Sequence, residues 1–137
     1  MKELELGLFA EKSFPVEEKD TAAHLGSGGV PVYATPTMVL HMEEMALGIV
    51  DPFLGKGRAT VGASICVKHL APTPVGMTVR IRAELVGIEG RKYVFRIEAW
   101  DEVEKIGEAD HVRVAMDLDR LGEKIAKKRA AIADPRG

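Results

Sequence analysis

The chain has 137 residues, of which 46% are hydrophobic and 29% charged, with a formal net charge of −2. That length fits one ordinary domain, residues 1–137, and the balance is that of a globular protein, which excludes disordered and fibrous classes. A slightly acidic chain argues against a nucleic-acid partner, and no apolar run approaches the roughly 18 residues that would span a membrane.

The first residues, MKELELGLFAEK, alternate charged and apolar positions and lack the continuous apolar stretch of a signal peptide. A lone Cys66 has no internal disulfide partner and suits a reducing compartment. Together they point to the cytoplasm. Leu4, Leu6 and Leu8 predict an opening strand running toward Phe14. Asp20, Thr21, Gly26, Gly28, Gly29 and Pro31 predict a short turn of helix followed by a flexible loop over 19–32.

Thr35-Pro36 opens the next element. Threonine is a good helix N-cap, and proline is tolerated in the first turn, where its missing N–H had no partner anyway. Met38, Val39, Met42, Met45, Ala46, Ile49 and Val50 then follow the helical period, until Asp51-Pro52 ends it. Beyond Gly55 and Gly57 the period changes to that of a strand. Val61, Ala63, Ile65 and Val67 alternate up to Pro72-Thr73-Pro74. Val79, Ile81, Ala83 and Leu85 make one face of a second strand, with Arg80, Arg82 and Glu84 opposite. After a turn at 87–90 come Tyr93, Phe95, Ile97 and Ala99, then a polar hairpin at 102–105. Val112, Val114 and Met116 mark one face of the fourth strand, and Asp117 or Asp119 caps a terminal helix striped with Leu121, Ile125 and Ile132. A long, widely apolar helix against a run of antiparallel strands is an α+β, two-layer solution. A sheet wrapped around one central helix is the hotdog fold.

Two polar residues fall on faces that should be apolar. With Met42 at zero and about 100° per residue, Glu43 lies near +100°, inside an apolar arc from roughly −60° to about +160°. Glu44 lies near 200°, on the polar side. A carboxylate on that arc needs a partner unless its head reaches water. His69 shares a strand face with Val61, Ala63, Ile65 and Val67, the face expected to meet the helix. Alone it would read as a satisfied core histidine; beside Glu43 it suggests a general acid/base pair. Thr35 is the third candidate, because helix N-terminal N–H groups near it can stabilise an oxyanion. Thr35 and Glu43 are eight residues apart, about 12 Å along a helix axis, so direct contact within one chain is not expected.

Other features carry less. Cys66 lies on the strand face opposite His69, and Asp110-His111 is an adjacent pair pointing to opposite faces. The four histidines show neither HxxxH spacing nor a CxxC partner, so no metal is expected, and nothing calls for a cofactor. Residues 26–29 lack the lysine and strand–helix setting of a phosphate loop. Lys124, Lys127, Lys128 and Arg129 read as a solvated helix face that could also meet nucleotide phosphates.

The stretch VYATPTMVLHMEEMAL, followed by GASICVKHLAPTPVGMTVRIRAEL and EGR, resembles the fluoroacetyl-CoA thioesterase family of hotdog proteins over about residues 32–130. The resemblance implies hydrolysis of a small acyl-CoA, with Thr35, Glu43 and His69 matching the family's catalytic residues. Gly62 matches a substrate-contacting glycine and Arg113 an arginine near the pocket. In the family's fluoroacetyl-specific members the segment before the helix is a longer lid bearing phenylalanines; here it is LGSGGVPVYAT, shorter and without Phe. A small chain with open sheet edges, and with Thr35 far from Glu43, leads to the expectation of a homodimer whose active sites lie at the subunit interface. A non-catalytic acyl-CoA-binding protein would keep Gly62 and the pocket without needing all three reactive groups. A hydratase or dehydratase on this fold would call for an Asp-x4-His pattern, which is missing from the helix region.

Overall fold

The computed structural model describes residues 4–133. Five strands, β1 (Phe9–Pro15), β2 (Arg58–His69), β3 (Thr78–Glu89), β4 (Lys92–Trp100) and β5 (Lys105–Asp117), form one antiparallel sheet in the order β1-β3-β4-β5-β2. Helix α2 (Thr35–Val50) lies against one face. The alternation of β3 and β4 explains why. Val79, Ile81, Ala83, Leu85, Phe95, Ile97 and Ala99 are all fully buried and meet Met38, Met42, Ala46 and Val50 of the helix in one core. Burying a large apolar side chain of this kind is worth about 2 kcal/mol, so this interface dominates the packing.

The opening strand begins later than its leucines suggest. Leu6 is exposed, Gly7 takes a positive φ of 93°, and regular pairing with β3 starts only at Phe9. Residues 18–20 form a 3₁₀ turn, and α1 (Ala22–Leu25) is capped by Thr21, whose hydroxyl accepts the His24 N–H at 3.2 Å. The segment after α1 returns along it: the Ala22 and Ala23 N–H groups donate to the carbonyls of Val32 and Val30.

Two further expectations are corrected by the structure, the cap of α2 and the faces of β2. Thr35 is the first helical residue rather than the N-cap; Ala34 takes that place, because the Thr35 hydroxyl is committed elsewhere. The faces of β2 do not alternate uniformly. Gly62 pairs with Arg113 and Ser64 with Val112, so Ala63 is an extra residue that forms a β-bulge. Thr60 and Gly62 before it, and Ile65, Val67 and His69 after it, face inward, while Val61 points away from the helix and is 38% exposed. The inward face of β5 carries Ala109, His111, Arg113 and Ala115, leaving Val112, Val114 and Met116 on the outer face. Helix α3 (Leu118–Ala133) follows directly, and Asp117 caps it by accepting the N–H groups of Asp119 and Arg120 at 3.0 and 3.2 Å.

Candidate active site

Thr35 and His69 come together from opposite layers. Thr35 opens α2, His69 closes β2, and Thr35 Oγ1 stands 2.7 Å from His69 Nδ1. Burial holds the His69 pKa below its ordinary value, so the ring is neutral near pH 7 and can take a proton. Its Nε2 is buried and has no hydrogen-bond partner among the described residues. The ring meets Tyr33 edge-on, with centroids 6.4 Å apart, and the Tyr33 hydroxyl lies 2.6 Å from His41 Nδ1. Phe14 stacks on His41 at 3.9 Å, so the histidine is held on one face by a ring and at its edge by the Tyr33 hydroxyl. A cavity of about 340 Å³ opens onto Thr35 and His69, bounded by Tyr33, Leu70 and, from the returning loop, Gly28 and Val30.

Glu43 belongs to a second cluster, one side of which is the bulge of β2. Glu43 Oε2 lies 3.5 Å from Arg113 Nη1, and a Cβ built on Gly62 would stand 3.2 Å from that same oxygen. Glycine is thus the residue that lets the carboxylate approach the strand. Arg113 is buried and held rigidly: its Nε donates to Thr60 Oγ1 at 2.7 Å and its Nη2 to the Thr60 carbonyl at 3.0 Å. The Thr60 hydroxyl in turn donates to Asp51 Oδ1 at 2.6 Å, so the residue that ends α2 also anchors the arginine. His111 completes the cluster. Its Nδ1 is 2.7 Å from the Ser64 carbonyl, which can only accept, so the proton sits on Nδ1 and Nε2 is left to accept from Arg113 Nη1 at 3.2 Å. Burial, and after it the neighbouring guanidinium, lower the His111 pKa and keep that tautomer neutral. Glu43, Gly62, Ala63, Ser64, Ile65 and His111 line a recess of about 240 Å³.

All five residues singled out in the sequence therefore fall into two groups, Thr35 with His69 and Glu43 with Gly62 and Arg113. They do not merge within one chain, as the eight-residue spacing requires. Glu44, one position on, is exposed. Sequence reasoning missed Tyr33, His41 and Thr60, and set His111 aside. The i, i+2 relation of His111 and Arg113 was a signal that both share a strand face, but the apolar Val112, Val114 and Met116 suggested the opposite phase.

Residues 16–119 match the family model described as fluoroacetyl-CoA-specific thioesterase. A fluoroacetyl-CoA thioesterase of Streptantibioticus cattleyicolor is 39% identical over 100 residues, 73% of this chain and 72% of that protein. The crystal structure of a Phe→Ala mutant of the fluoroacetyl-CoA-specific thioesterase superposes with a TM-score of 0.86 at 33% identity, over 93% of this chain and 99% of that one. A complex of that mutant with fluoroacetate and CoA gives 0.81 at 34% identity, over 85% and 98%. A hot-dog-like protein from Thermanaerovibrio acidaminovorans, 23% identical, shares the fold with a TM-score of 0.85 over 90% and 91% of the two chains. A central helix wrapped by this sheet, together with these matches, defines a hotdog-fold thioester hydrolase. The chain belongs to the fluoroacetyl-CoA-specific thioesterase family.

Proposed function

We propose that the protein hydrolyses a small acyl-CoA to the free acid and CoA, with Thr35, Glu43 and His69 as its catalytic residues and Gly62 and Arg113 shaping the acyl site. The observation that carries this reading is the Thr35–His69 hydrogen bond at the mouth of a cavity. A threonine hydroxyl that donates to a neutral imidazole can pass its proton to Nδ1 as Oγ1 attacks, or as a water it orients attacks, the thioester carbonyl. The first turn of α2 supplies N–H dipoles to the developing oxyanion. Arg113, fixed by Thr60, holds the Glu43 carboxylate at the strand so that it can align water or the acyl intermediate.

The reading includes a homodimer of single-domain chains with composite sites. In support, β2 is an edge strand of the sheet, and Pro36, Leu40 and Leu47 are exposed along α2 beside it. Joining two such edges would cover them and bring Glu43 of a second copy toward Thr35 and His69. A cytoplasmic setting fits the free, exposed thiol of Cys66, and no helix among the described residues is long and apolar enough to cross a membrane.

Thiol release from a panel of short acyl-CoAs, with wild type and His69→Ala, tests the reading. Turnover that disappears in the variant is expected. Saturable acyl-CoA binding with no turnover by the wild type would instead make the chain a binding protein.

A further inference from the structure

The basic face of α3 is not a merely solvated one. Arg120, Lys124 and Lys127 stand at i, i+4 and i+7 on the helix, which puts them on one side of it. Together with Arg91, from the turn between β3 and β4, and with Met116 beneath, they line a cleft of about 440 Å³. On the sheet several cations pair with carboxylates, Arg80 with Glu11, Arg82 with Glu84, Arg96 with Glu108 and Lys105 with Glu98. Others, such as Lys12, Lys68 and Lys92, have no such partner among the described residues; what marks these four is that they line one cleft. Among the described residues, none of the four cleft cations forms a salt bridge. Two carboxylates, Asp117 and Glu123, also line it, but Asp117 Oδ1 is engaged in capping α3. Four cations without a carboxylate partner among the described residues thus converge on one concave site in a chain whose formal net charge is −2.

We propose that this cleft binds the phosphates of the coenzyme A portion of the substrate. The inference rests on the acyl-CoA reading above and adds where the leaving group is held. Coenzyme A carries a 3′-phosphate and a diphosphate on its adenosine, and guanidinium and ammonium groups bind such oxygens through charge-assisted hydrogen bonds. The distance suits the molecule. Asp117 lies four residues beyond Arg113 along β5, about 13 Å at the rise of a strand. The pantetheine arm has three amide-linked units, comparable to an extended tripeptide of about 11 Å, before its diphosphate is counted. Met116 faces away from α2, so the arm turns around the end of the β2–β5 ladder, at Arg58 and Asp117, to reach the recess beside Glu43.

The test compares one acyl group carried on coenzyme A and on pantetheine, with wild type and the double variant Arg120→Ala/Lys124→Ala. The variant is expected to raise KM for the acyl-CoA by about tenfold or more, the loss of two charge-assisted contacts, with kcat little changed. Its kinetics with acyl-pantetheine should match wild type, which also reports that the variant is folded. Equal effects on both substrates, or none on acyl-CoA, would overturn the proposal. Calorimetry with adenosine 3′,5′-bisphosphate decides the point even if no thioester is hydrolysed: wild type should bind it in a salt-sensitive way and the variant at least tenfold more weakly. Salt-sensitive binding to anionic phospholipid vesicles, with no binding of the bisphosphate, would assign the cleft to a membrane surface and reject the nucleotide.

Discussion

Thr35 Oγ1 meets His69 Nδ1 at 2.7 Å across 34 residues of sequence, and the contact leaves α2 without a side-chain cap. A threonine one position earlier, capping the helix, would be worth about 1 kcal/mol. That stabilisation is forgone so that the hydroxyl can face an imidazole. Thr35→Ala removes no cap but does take the partner of His69 Nδ1, so it is expected to lower the melting temperature modestly while lowering kcat by about a hundredfold or more. Thr35→Ser should retain measurable turnover. A Thr35→Ala protein as active as wild type would remove the hydroxyl from the chemistry.

Glu43 and Glu44 provide a paired comparison. Glu43→Gln loses the charge that faces Arg113, whereas Glu44 is exposed, so turnover should fall by at least about tenfold in the first variant and stay near wild type in the second. Equal kinetics in the two variants would break the link between the recess and catalysis.

Acid should act on both activity and stability. Burial lowers the pKa values of His41, His69 and His111 below the ordinary 6.5, so the unfolded chain takes up these protons first. Stability is then full above pH 6.5 and declines as pH falls through the depressed folded values. The acid limb of kcat/KM should likewise lie below pH 6.5, where His69 stops accepting a proton. A melting temperature that rises on acidification from pH 7 would contradict this.

Selectivity follows from the residues around the cavity. Gly28, Val30 and Val32 take part in its wall from the loop side, and the aromatic rings lining it are Tyr33 and His69, with no phenylalanine among them. The protein should therefore discriminate poorly between fluoroacetyl-CoA and acetyl-CoA. A preference of several hundredfold in steady-state comparison would show that other residues supply the gate.

Subunit mixing tests the composite site. Inactive Thr35→Ala and Glu43→Gln proteins, exchanged at random, should give up to about half mixed dimers, each with one intact site. Recovered activity is the expected result. None, despite demonstrated exchange, would assign Thr35 and Glu43 of a working site to the same chain.

Much of this was legible in the sequence because it depended on period alone. The alternation of β3 and β4 and the wide apolar arc of α2 located the core, and the wheel separated Glu43 from Glu44. Strand phase was harder. The period places His69 on the inner face with Ile65 and Val67, as found, but adds Val61 and Ala63 wrongly, since these lie at or before a bulge that no local pattern marks. The cap expected of Thr35 fails because its hydroxyl finds a partner 34 residues away, beyond any capping rule. Tyr33 and His41 could not be paired from spacing, because Tyr33 precedes the helix and its approach depends on the loop that α1 folds back.

The bulge at Ala63 acts on β2 as an inserted letter acts on a reading frame. Thr60 and Gly62 are read in one phase, Ile65, Val67 and His69 in the other, and one uncounted residue lets both face the same layer. Deleting Ala63 would leave Gly62 opposite Arg113 and Ser64 opposite Val112 on a now regular strand, with both halves still inward; regular pairing with Ala63 kept would instead turn one half outward, taking away either the partner of Arg113 or the partner of Thr35. A one-residue insertion or deletion elsewhere in β2 turns the half beyond it outward, and is thus constrained far more tightly than a substitution.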